Sequence, residues 1–63
     1  MTELQRMYND MLVTLEKGIN DLEKFEDGNM SAGTRVRKTM QVTKELAQKI
    51  RVAVQEQKNA VAA

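Results

Sequence analysis

A chain of 63 residues, 41% hydrophobic but with one Tyr, one Phe and no Trp, has few large side chains for a core. Below about 70–80 residues one core seldom suffices without disulfides, metal or oligomerisation; the absence of Cys and His removes the first two, so oligomerisation is the expected device. The net charge of +1 conceals a division: residues 1–28 carry three cations against seven acids (net −4), and residues 29–63 seven cations against two (net +5). That asymmetry points to a helix pair drawn together, or to one half facing an anionic partner.

The first element opens on MTELQRMYND, polar and amphipathic rather than a signal peptide. Leu4, Tyr8, Met11, Leu15, Leu22 and Phe25 follow a 4-3-4 spacing, with Gly18 in the slot between Leu15 and Leu22 and Met7, Leu12 and Ile19 widening the stripe. This predicts an amphipathic helix over about residues 2–26. Gly18 in that seam is read as permitting close helix approach. The Met residues read mostly as core filler, with Met7, Met11 and Met40 on or beside the seam, and Tyr8 as a core or interface residue rather than a base-stacking platform.

EDGNMS is the turn, over about residues 27–30: Gly28 can take the left-handed conformation that ends a helix, and Asn29 is a good N-cap for the next. NMS matches a glycosylation acceptor, but nothing points to export, and the match is read as chance. A second helix follows over about 31–58. Val36, Met40, Thr43, Ala47, Ile50, Val54, Gln57 and Val61 form its seam, Leu46, Ala53 and Ala60 lie on one flank, and the C-terminus is expected to fray. So short a link makes the helices antiparallel neighbours. The expected fold is a single all-α domain over residues 1–63, an antiparallel two-helix hairpin. The apolar flanks Leu12/Ile19 and Leu46/Ala53 suggest that it dimerises into a four-helix bundle or coiled-coil assembly. No apolar run approaches the ~18–20 residues of a membrane span, so no membrane partner is expected and the location is read as cytoplasmic.

Catalysis has little to draw on. Ser31 is the only Ser and has no Cys or His to act with, GNMSAG lacks the Gly-Lys-Ser/Thr ending of a phosphate loop, and acids such as Glu23 and Glu26 read as a solvated face. No enzyme, cofactor, metal or small-molecule substrate is expected. The cations are more ordered. Arg37, Lys44, Arg51 and Lys58 recur every seven residues, and Gln41, Gln48 and Gln55 interleave with them. On a helix this is one long polar stripe of hydrogen-bond donors, able to follow a row of phosphate oxygens. The same pattern also serves a coiled coil whose cations pair with acids of its partner helix, such as Asp21 and Glu26. At the start of the second helix, Arg35, Arg37 and Lys38 gather at the positive dipole end beside the hydroxyls of Ser31 and Thr34, and the small Ala32 and Gly33 let backbone approach a ligand. The plainer reading is that Ala32 and Gly33 permit tight crossing over Phe25.

The run GNMSAGTRVRKTMQVTKELAQKIRVAVQEQKN resembles the core of the histone-like nucleoid proteins first described from chlamydiae, which have short relatives in other bacteria. AGTRVRK followed by MQ is its specific part; the first helix matches only in general character. The resemblance implies DNA binding with little sequence preference and a part in compacting or organising the chromosome of the nucleoid. Chlamydial members carry a long Lys-rich tail, whereas this sequence ends at AVAA, so binding is expected to come from a local patch multiplied by oligomerisation. The candidate contacts with duplex DNA are Arg35, Arg37, Lys38, Ser31 and Thr34, extended by Lys44, Arg51 and Lys58. RNA is a further possible partner, and the alternative function is a coiled-coil adaptor with intramolecular ion pairing.

Overall fold

The computed structural model describes residues 1–62. Two helices, α1 (Glu3–Glu26) and α2 (Met30–Ala62), form an antiparallel hairpin, and no strand occurs among the described residues. α1 begins in a capping box. The Thr2 hydroxyl accepts the Gln5 amide at 3.1 Å, and the Gln5 side-chain oxygen accepts the Thr2 amide at 3.0 Å. Two of the amides that a helix start leaves without partners are thereby satisfied.

α1 ends in a Schellman motif. Gly28 sits at φ +104°, its amide donates to the Phe25 carbonyl, and the Asn29 amide donates to the Lys24 carbonyl, each at 3.0 Å. Asn29 then caps α2: its side-chain oxygen accepts the Ala32 amide at 3.2 Å. The three linking residues thus divide the turn between them, Asp27 closing the last turn of α1, Gly28 reversing the chain and Asn29 starting α2.

The helices cross through small residues. A Cβ on Gly18 would stand 3.0 Å from Thr39 Cγ2, so the backbones approach closely there. Ala32, the one fully buried residue among those described, lies on the same seam. Thr43 returns its hydroxyl to the Thr39 carbonyl at 2.8 Å, so this seam threonine brings no unsatisfied donor inside. The register runs Phe25 against Gly33, Asp21 against Arg35 and Gly18 against Thr39. Continued along both helices, it brings Leu4 level with Ala53 and Val54.

Two expectations are corrected. The inward face of α1 is Leu4, Met7, Met11, Thr14, Gly18 and Asp21, each partly covered, while Tyr8, Leu12, Leu15, Ile19 and Leu22 remain exposed. The seam is therefore rotated from the stripe of largest residues, because close approach at Gly18 and Ala32 brings the small side chains between the helices. For the same reason Leu46 and Ala53, expected on a free flank, face α1 and are partly covered. α2 extends to Ala62, a few residues beyond its expected end near 58, through Ala, Gln, Glu and Lys, which are strong helix formers. Its residues from Gln55 on, about 12 Å of helix, have no α1 opposite them.

Candidate nucleic-acid interface

The start of α2 is built by the turn. With Asn29 as cap, helix geometry leaves the Met30 and Ser31 amides without intrahelical acceptors, next to the exposed hydroxyls of Ser31 and Thr34. Gly33 faces inward: a Cβ there would meet the Phe25 ring at 2.7 and 2.8 Å. Of the two readings of Ala32 and Gly33, packing is the one the geometry realises. Ala32 is buried and Gly33 lies beneath Phe25, a packing role that is compatible with a ligand at the neighbouring Ser31 and Thr34.

The cations of α2 divide into two sets. The Arg35 Nε donates to Asp21 Oδ1 at 2.8 Å, with the Asp21 side chain 22% exposed and that of Arg35 48%. Arg35 thus ties the two helices together, which the sequence ordering of the cations did not reveal, because the two residues stand 14 positions apart. Among the described residues the other ion pair is the local Arg6–Glu3 contact at 3.6 Å.

The heptad set behaves differently. Arg37, Lys44, Arg51 and Lys58 are exposed, as is Lys38, and no carboxylate among the described residues lies within 4.0 Å of them. Intramolecular ion pairing is thus realised at Arg35 and at none of the stripe positions. The interleaved glutamines are exposed too. Gln41 reaches Glu45 at 3.4 Å and Gln55 reaches Asn59 at 3.0 Å, both one helical turn on. Arg51 lies beside Gln48 and Gln55 in a shallow polar recess. At the other end Arg37 and Thr34 border an apolar hollow containing Phe25 and Met30.

At 1.5 Å per residue the stripe from Arg37 to Lys58 spans ~32 Å, close to the 34–36 Å of one duplex turn. This surface can donate to phosphates along its whole length. The stripe itself contains no aromatic residue to serve as a platform for unstacked bases, since Tyr8 and Phe25 both belong to α1. Among the described residues there is no cluster of acidic side chains able to hold a metal ion, and no helix is long and apolar enough to cross a membrane.

Comparison with known proteins gives one family. No curated protein and no solved structure matches the chain. A family model described as "Histone H1-like protein Hc1" matches residues 5–60, which takes in nearly all of both helices and the turn between them. With its helical fold and its exposed basic stripe, the chain belongs to this family of histone-like, DNA-binding nucleoid proteins.

Proposed function

We propose that this protein binds duplex DNA with little sequence preference and helps compact or organise chromosomal DNA in the nucleoid, acting as a homodimer or larger homo-oligomer without catalysing a reaction. The observation that carries the reading is the exposed stripe of Arg37, Lys44, Arg51 and Lys58, which has no carboxylate partner within the described chain. Such a surface attracts a polyanion by releasing its counterions, and that attraction does not depend on sequence.

Arg37 and Lys38 are the central contacts, with the Ser31 and Thr34 hydroxyls donating to neighbouring phosphate oxygens. Lys44, Arg51 and Lys58 extend the contact along α2. Arg35 contributes its charge but serves first to hold α2 in register with α1 through Asp21. Phosphate contacts fix position on the duplex without reading bases, and neither helix carries a recognition-helix motif. With a formal charge of +1 overall, affinity depends on the local patch and on the presence of several copies.

The test is a fluorescence-anisotropy titration at low salt with two duplex DNAs of unrelated sequence and one double-stranded RNA. Both DNAs are expected to bind with equal affinity, and Arg37→Ala/Lys38→Ala to weaken both alike. No binding at low salt, or unchanged affinity in the double variant, would overturn the reading. Stronger binding to the RNA would move the function to A-form duplexes.

A further inference from the structure

The two broad faces of the hairpin are unequal. On one of them Tyr8, Leu12, Leu15, Ile19 and Leu22 remain between 40% and 58% exposed, although they are the largest apolar side chains of α1 apart from Leu4, Phe25 and the methionines. α2 adds Val36 and Met40 to this face, and Leu15, Ile19, Leu22, Val36 and Met40 line one open groove. The groove continues past Leu22 and Val36 to Phe25 and Met30. Nothing among the described residues covers it.

We infer that a second copy of the chain occupies this groove, turned so that each α1 lies over the partner's α2 in a four-helix arrangement. The inference makes specific the homo-oligomer part of the function proposed above and is independent of DNA. Two observations select the occupant. The first is area. A compact 7.2 kDa monomer exposes ~4,100 Å² by the usual scaling, whereas this chain exposes 5192 Å². The excess, about 1,000 Å², is of the size that one partner contributes to a standard interface, ~800 Å². The radius of gyration says the same: 15.3 Å against ~11 Å for a compact chain of this length.

The second observation is the sign of the edges. Along α1 the groove is bordered by Glu16 and Glu23, each one turn beyond Leu12 or Ile19; along α2 it is bordered by Arg37 and, one turn beyond Met40, by Lys44. A face acidic on one edge and basic on the other complements a copy of itself rotated about an axis along the bundle. That rotation sets each acidic edge beside a basic one, with Glu16 near the partner's Lys44. Stacking α1 on α1 would instead oppose like charges, and a uniformly charged surface would match one edge only. Exposed pairs at such a rim fix orientation more than affinity.

The experiment uses the full chain without DNA. Light scattering and sedimentation at tens of micromolar are expected to give twice the 7.2 kDa chain mass. Ile19→Glu is expected to halve that mass, and Val13→Glu, which faces away from the groove, to leave it unchanged. Should Ile19→Glu lose its helical circular dichroism, Ile19→Ala keeps an apolar side chain and is expected to raise the dimer Kd at least tenfold. In dimers mixed from isotopically labelled and unlabelled chains, carbodiimide coupling is expected to join Glu16 to Lys44 between chains. A monomeric parent would overturn both this inference and the homo-oligomer reading, leaving DNA binding to its own titration. A dimer indifferent to Ile19→Glu and Ile19→Ala would overturn the groove as interface while preserving the oligomer. Interchain Glu–Lys products that exclude Glu16–Lys44 would overturn the orientation.

Discussion

Arg35 and Arg37 are two residues apart in the sequence, yet only Arg35 is paired across the hairpin, and the salt dependence of DNA binding tests whether the two also differ in phosphate contact. Six cations of α2 are exposed with no carboxylate partner among the described residues, and all but Lys49 belong to the proposed contact, which leaves five: Arg37, Lys38, Lys44, Arg51 and Lys58. If all five meet phosphates, Lys44 leaving its exposed rim position beside the partner's Glu16 to do so, log K falls with log salt at a slope of about −4.5 per hairpin, since each contact contributes roughly −0.9. Raising salt from about 50 to 200 mM then weakens binding about 500-fold. Arg37→Ala/Lys38→Ala should bring the slope to about −2.7, two contacts fewer. Arg35→Ala should leave the slope within about half a unit of the parent, because its guanidinium is engaged with Asp21. Its cost falls on folding instead, at up to about 1 kcal/mol for a pair this exposed. Anisotropy titrations at five salt concentrations, with thermal melts of the same samples, supply both quantities. A slope reduced as much by Arg35→Ala as by Arg37→Ala would refute the division of labour.

Two further predictions concern the hairpin itself. Gly28→Ala should destabilise by about 1–3 kcal/mol, because φ +104° is closed to a residue with a Cβ although nothing crowds the position; a thermal melt should show a Tm lower by about 4–8 °C for each kcal/mol, and an unchanged Tm would refute the role given to the turn. Gly33→Leu should displace the Phe25 ring, which lies 2.7 Å from the first added carbon. A loss of about 1–3 kcal/mol is expected from the forced repacking, measured by chemical denaturation, and Gly33→Leu/Phe25→Ala should recover part of it.

The turn was legible in the sequence because its chemistry is local. A Gly that must take positive φ and an Asn that must accept an amide three residues on are decided within five positions, and Gly28 and Asn29 do what their types predict. The hairpin architecture followed from the brevity of that link. The rotation of the seam did not. Periodicity identifies an apolar stripe, but the widest stripe faces inward only when large side chains set the helix spacing. Here Gly18 against Thr39 and Gly33 against Phe25 set it, and Leu15, Ile19 and Leu22 are turned outward. Arg35 illustrates the same limit at the candidate site. Its neighbours in sequence mark it as one of a basic cluster, while the register across the hairpin, fixed by packing, gives it to Asp21. The stripe from Arg37 to Lys58 was legible as a stripe, because a seven-residue repeat on one helix needs no tertiary information.

The overhang of α2 has a consequence for how such a protein can vary. Leu4 comes level with Ala53 and Val54, so the helix beyond is supported by its own propensity and holds Lys58 clear of the two-helix layer. Shortening α2 at this end would remove a cation without disturbing the turn, the seam or the groove. Adding one heptad would place another cation about 10.5 Å farther out on the same side. Reach along a polyanion can therefore be adjusted one repeat at a time, by changes to which the folded layer is indifferent.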